Sequence, residues 1–156
     1  MRIRETSPQP SAPDHFGNDY FDDHYSHRDE IQQYMGYCTD VWFREAMAWM
    51  RGCHRRGEPF FKYLATNAPH GPLWVPDHYR DPYRDRVKHP QASFFGMIAN
   101  IDENMGRLEA FLNETGLRDN TIVIFMTDNG TATGQEVFNA GMRGRKGALY
   151  EGGHRV

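Results

Sequence analysis

Two short segments of this 156-residue chain gather the side chains best suited to chemistry on an anion. In Asp128-Asn129-Gly130 a carboxylate stands beside an amide carbonyl. These are hard oxygen donors, suited to calcium or magnesium rather than zinc. Two such oxygens fall short of a calcium shell of about six to eight, so a metal here needs ligands from elsewhere. Asp-Asn-Gly is also ordinary turn chemistry. The second segment runs Gly141-Met-Arg143-Gly-Arg145-Lys146-Gly-Ala-Leu-Tyr150-Glu-Gly152-Gly153-His-Arg-Val156. Its glycines let backbone approach a ligand closely. Lys146 supplies a point positive charge that suits a tetrahedral anion. The glycine spacing does not match the phosphate-binding pattern G-x-x-x-x-G-K-[ST], and Arg143 and Arg145 read equally well as solvated basic residues. A third element is His70, in Ala68-Pro69-His70-Gly71-Pro72. It can hydrogen-bond an anionic oxygen or protonate a leaving group. His24 and His27 have a ligand-like spacing, but no carboxylate-histidine set completes it, and they read as surface histidines.

The elements that position these residues follow from hydrophobic periodicity. Phe60 to Ala65 is a short apolar run between Pro59 and Pro69 and reads as a buried strand leading to His70. Thr121 to Thr127 is a continuous β-branched and aromatic run leading to Asp128, expected to be central and buried on both faces. Between them, Gln91 to Thr115 reads as a helix, with Phe94, Ile98, Ile101, Met105, Leu108 and Phe111/Leu112 on one stripe and Gly116 placed to stop it. Strand, helix, strand is a βαβ unit, so both strands should run parallel and release His70 and Asp128-Asn129 at one sheet edge. The expected fold class is α/β. An earlier helix is expected from a cap at Thr39 or Asp40 to about His54, closed by Gly57-Glu58-Pro59. Residues 14–37 read as short strands or extended loops, and 66–90 as a proline-rich loop with one short helix near Pro76 to Tyr83. Residues 1–13, rich in Pro and Ser, read as disordered.

Composition narrows the function classes. The chain carries 18 Lys and Arg against 21 Asp and Glu, a net charge of −3, so no basic excess points to nucleic acid. No apolar run of about eighteen residues would span a membrane. The N-terminal residues lack the apolar core of a signal peptide. Cys38 and Cys53 have no CxxC spacing and are expected to be free, partly buried thiols.

In combination, four segments resemble the type I sulfatases of the alkaline phosphatase superfamily. They are Pro59-Phe60-Phe61 with Ala68-Pro69-His70, then Ile98 to Gly106, Thr127-Asp128-Asn129-Gly130, and Lys146-Gly-Ala-Leu-Tyr-Glu-Gly-Gly153. The last is similar to the family pattern K-G-x-x-Y-E-G-G. The resemblance covers Asp14 to Val156 and implies a partial alkaline-phosphatase-like sandwich, with a mostly parallel central sheet flanked by helices. It implies that Asp128 and Asn129 bind Ca2+ and that Lys146 and His70 contact the sulfate of a sulfate ester, aryl or carbohydrate. Export or a periplasmic location is suggested by the resemblance alone.

The departures are as informative. Family members use a formylglycine made from the first residue of C/S-x-P-x-R, and neither Cys38-Thr-Asp-Val-Trp nor Cys53-His-Arg-Arg-Gly fits, nor does Ser7-Pro-Gln-Pro-Ser11. The Asp-Asp pair that completes the family's calcium site is absent too. Residues 14–156 are therefore expected to be the central part of a catalytic domain, incomplete at both ends and inactive alone. Two alternatives stand beside this. One is a phosphatase or phosphodiesterase of the same superfamily, against which Asn129 argues. The other is a non-catalytic remnant that binds an anion or a protein partner.

Overall fold

The computed structural model describes residues 19–155; the disorder expected for 1–13 lies outside them. The chain opens with an antiparallel hairpin of β1 (His24–His27) and β2 (Glu30–Gln33), registered His24 opposite Gln33 and His27 opposite Glu30. Its two-residue turn, Arg28-Asp29, has φ of 54° and 67°. Two left-handed residues in succession match the turn whose twist suits a hairpin, here built without glycine. Helix α1 (Cys38–Arg55) follows, then the short α2 (Asp77–Arg80) continued by a 3-10 turn at Asp81–Tyr83. The long α3 is His89–Glu114, and α4 is Glu151–His154.

Both long helices stop as the sequence predicts. After α1, Gly57 (φ 67°) donates to His54 O and Glu58 to Cys53 O. After α3, Gly116 (φ 69°) donates to Asn113 O and Leu117 to Leu112 O. Each pair of bonds is a Schellman motif, which closes orphan carbonyls through one left-handed residue. Leu117 then packs on the cluster containing Leu112, Phe111, Ala46 and Met50. A Cβ at Gly116 would meet nothing within 4 Å. Gly116→Ala therefore isolates the backbone cost, and urea denaturation should show a loss of about 1–2 kcal/mol; an unchanged midpoint would sink this account of the stop.

The starts of the helices differ from expectation. Tyr37, not Thr39 or Asp40, is the residue before α1, and no side-chain cap is made there. Asp40 instead faces α3. One of its oxygens, Oδ1, accepts from Asn100 Nδ2 at 2.9 Å, Asn104 Nδ2 at 2.7 Å and Arg107 Nη1 at 3.3 Å. Helix α3 starts two residues early, with Pro90 in its first turn, where a missing N–H costs nothing. Its buried face carries Ser93, Met97, Asn100, Asn104 and Phe111, whereas Ile98 is 41% exposed. Most of the predicted stripe is borne out, with Phe94, Phe111 and Leu112 buried and Ile101 and Leu108 packed on the two clusters, but Ile98 is displaced because the face turned to α1 is partly polar.

The expected strands are where the sequence reading and the structure part. Neither 60–65 nor 121–127 joins a sheet: the hairpin is the one sheet among the described residues. Ile122, Ile124, Phe125 and Met126 are exposed, Ile122 at 90%, as are Phe61 and Tyr63. A parallel strand needs hydrogen-bonded neighbours and helices over both faces, and no described segment supplies the neighbours. The core lies elsewhere. One cluster joins the hairpin region to α1 and α3 through Tyr25, Tyr37, Val41 and Met97; the other lies between α1 and the C-terminal half of α3. Cys38 and Cys53 are free and buried. Burial pushes the Cys38 thiol up to about 12, which makes it inert at neutral pH.

Candidate functional site

The Asp128-Asn129 turn and the glycine-rich segment meet through backbone. Gly130 N–H donates to Gly153 O at 3.1 Å, and Lys146 N–H donates to Thr131 O at 2.9 Å. Gly152 N–H donates to Arg143 O at 2.8 Å. These bonds lay the Lys146 loop along the segment that follows Asn129. The glycines are required by contact. A Cβ on Gly130 would fall 1.9 Å from Gly152 O, one on Gly153 would fall 2.1 Å from Ala148 O, and one on Gly152 would fall 2.5 Å from Gly144 O. All three are far inside van der Waals contact, so backbone packs on backbone with no room for a side chain.

Around this junction, Asn139 Nδ2 donates to Met142 O at 2.7 Å and Gly144 O at 2.9 Å, fixing the turn that precedes Lys146. The Arg143 guanidinium lies 3.8 Å from the centroid of the Tyr150 ring, a cation–π contact, while Arg145 and Lys146 are exposed cations of the same turn. The sequence reading missed Asn139. An asparagine just before a glycine-rich run was the available signal, since its amide can bridge carbonyls that the glycines leave open.

Asp128 is exposed and Asn129 half-buried, and the Asn129 amide donates to Asp128 Oδ2. The pair is of the right chemical type for a hard cation. It remains a partial set, because among the described residues no group of three or more His, Cys, Asp or Glu side chains could hold a metal. His27 Nδ1 lies 2.8 Å from Tyr34 Oη.

His70 sits on a different loop. Thr66 Oγ1 donates to Ala68 O at 2.7 Å, and His70 N–H donates to Asn67 O at 2.9 Å. Trp42 of α1 donates to Asn67 Oδ1 at 3.2 Å, which anchors the loop to the helix. His70 is exposed, and its Nδ1 lies 2.8 Å from Gly71 O. A carbonyl only accepts, so Nδ1 carries the proton and Nε2 is the atom free for a ligand. No hydrogen bond or ion pair among the described residues ties His70 to the Lys146 junction. The structure therefore joins three of the four sequence-predicted residues through backbone and leaves the fourth on its own anchored loop.

With the fold and junction described, comparison with known proteins places the chain in a class. The sulfatase family profile matches residues 6–156, and the chain belongs to that family. It is 32% identical over 103 residues to arylsulfatase J of Mus musculus, covering 66% of this chain and 17% of that protein. It is 30% identical over 126 residues to N-acetylgalactosamine-6-sulfatase of Rattus norvegicus, covering 75% of this chain and 22% of that protein. The chain thus spans about a fifth of the length of these relatives. Among solved structures it resembles Ps i-CgsB in complex with k-i-k-neocarrahexaose, with a TM-score of 0.78 at 31% identity over 85% of this chain and 29% of that one. Members of this family are named for hydrolysis of sulfate esters, as the two enzymes above are.

Proposed function

We propose that this chain carries part of the sulfate and metal site of a sulfatase acting on a carbohydrate or aryl sulfate. The observation that carries the reading is the backbone junction of Lys146 with the segment after Asp128-Asn129. It holds an ammonium and two oxygen donors on adjoining loops, a pairing that suits a sulfate bridged to a divalent cation. Lys146 takes the anion's charge, and His70 donates from Nε2 in its imidazolium form, Nδ1 being committed to Gly71 O. Asp128 and Asn129 offer Ca2+ two of its ligands; when bound, the ion would neutralise charge on the ester. In the same reading, 60–65 and 121–127 are parallel strands of an alkaline-phosphatase-like sandwich, which would bring the His70 loop to the edge that carries Asp128.

The chain by itself should turn over no sulfate ester, because C/S-x-P-x-R occurs nowhere in its 156 residues. Carbohydrate sulfate is favoured because Ps i-CgsB was solved with a neocarrahexaose. The reading is tested by titrating inorganic sulfate into the chain with and without Ca2+, followed by NMR. Lys146→Ala should weaken sulfate binding about tenfold or more, one charge-assisted contact being worth about 1.5–3 kcal/mol. Equal affinity in wild type and variant would remove Lys146 from the site.

A further inference from the structure

We infer that the cavity beside α2 is a sugar-ring subsite, which rests on the reading above that the substrate is a sulfated carbohydrate. The cavity measures about 420 Å³, and its walls include Phe21, Trp74, Pro76, Asp77, Arg80 and His89. That volume is in the range that takes a small ligand. Its composition is the kind that recognises a pyranose: aromatic faces for the C–H side of the ring and planar charged groups for its hydroxyls.

The walls are held in place. Trp74 O accepts from the buried Tyr37 hydroxyl at 2.9 Å, and its indole meets Tyr20 edge-on at 5.9 Å between centroids. The ring is nonetheless 45% exposed, a large aromatic surface kept in a fixed pose without being covered. Phe21 is fixed against Tyr37 at 5.2 Å. On the polar side, Arg80 Nη2 pairs with Asp77 Oδ1 at 2.9 Å, an array of donors and acceptors side by side. Arg80 Nε is buried with no hydrogen-bond partner among the described residues, so the guanidinium keeps an unused donor. The α2 backbone is pressed onto α3: a Cβ on Gly96 would lie 3.0 Å from Arg80 N. A preformed wall of this kind binds without first paying for loop ordering.

The position also fits. Residues 73–77 follow His70 directly, and His89 is the first residue of α3. A ring seated on Trp74 would lie along the chain from the histidine proposed to touch the sulfate. In this arrangement the cavity grips a sugar unit, while Lys146 and His70 address the sulfate.

The test uses the 156-residue chain and follows the Trp74 indole N–H by NMR. The probes are a carrageenan hexasaccharide, a chondroitin 6-sulfate hexasaccharide, the desulfated form of each, and inorganic sulfate. At least one hexasaccharide and its desulfated form should shift the Trp74 signal. Trp74→Ala and, independently, Arg80→Gln should weaken that binding about tenfold or more, with circular dichroism confirming that both variants fold. Inorganic sulfate should bind both variants as it binds wild type. Failure of every hexasaccharide to move the Trp74 signal, or affinities unchanged in both variants, would overturn the subsite. Sulfate binding that is absent or indifferent to Lys146→Ala, alongside a sugar response at Trp74, would instead defeat the proposed function while leaving the subsite standing.

Discussion

Asp40→Ala should destabilise the chain by about 3 kcal/mol, the largest single-residue effect expected in the helical part. The reason is an imbalance between donors and acceptors. Asn100 and Asn104 are 0% and 1% exposed, and both turn their amide N–H groups on the same Asp40 oxygen. Removing the carboxylate leaves both amides short of their main acceptor in a packed interface. Asn104 Nδ2 retains Asn100 O at 2.9 Å, so its loss is partial, whereas Asn100 Nδ2 loses its charged acceptor. Arg107 also loses a partner, but it keeps Glu103 and is half-exposed, so its share is small. Asp40→Asn keeps an acceptor and should recover more than half of the loss. Urea denaturation of the three proteins decides the matter: an Asp40→Ala cost below about 1 kcal/mol would mean that water replaces the carboxylate freely.

The second large effect is local. Gly130→Ala should free the Lys146 loop while leaving the helices intact. The added carbon would sit 1.9 Å from Gly152 O and 2.9 Å from Gly153 Cα, and both neighbours are backbone. No side chain can swing away, so the two segments must separate and the Gly130–Gly153 bond must break. Limited proteolysis should cut 139–150 about tenfold faster, because cleavage follows the population of the open form. Sulfate affinity should fall by a similar factor if the junction positions Lys146. The far-ultraviolet helix signal should stay within error, since α1 and α3 make their contacts elsewhere. Unaltered proteolysis would show that the backbone absorbs the methyl and that the glycine contact is not what holds the loop.

The features legible in the sequence are those encoded by local chemistry. Gly57 and Gly116 occupy positive φ where a helix must stop, and a glycine after an apolar stripe announces that directly. The short helix expected near Pro76 to Tyr83 appears as α2 and its 3-10 turn. Asp40 was misread because an acidic residue at the head of a helix serves equally as a cap or as a tertiary acceptor. The two readings differ only in what stands opposite, here two asparagines four residues apart on α3. Ile98 was misplaced for the same reason: periodicity finds an apolar stripe but does not reveal a partner with a polar face. At the candidate site, residue types pointed to Asp128, Asn129 and Lys146. What could not be read was the Gly130–Gly153 contact, a backbone approach between segments more than twenty residues apart.

The uncovered run from Ile122 to Met126 has a consequence for any measurement on this chain. Five consecutive apolar residues, four of them more than 60% exposed, present unpaired backbone to whatever is nearby, including another copy. Self-association through such a run obeys mass action. A thermal midpoint recorded at one protein concentration then differs from that at another, because folded copies that pair are drawn out of the unfolding equilibrium. Stability differences between variants should therefore be compared at one fixed dilution, chosen low enough that halving it moves nothing.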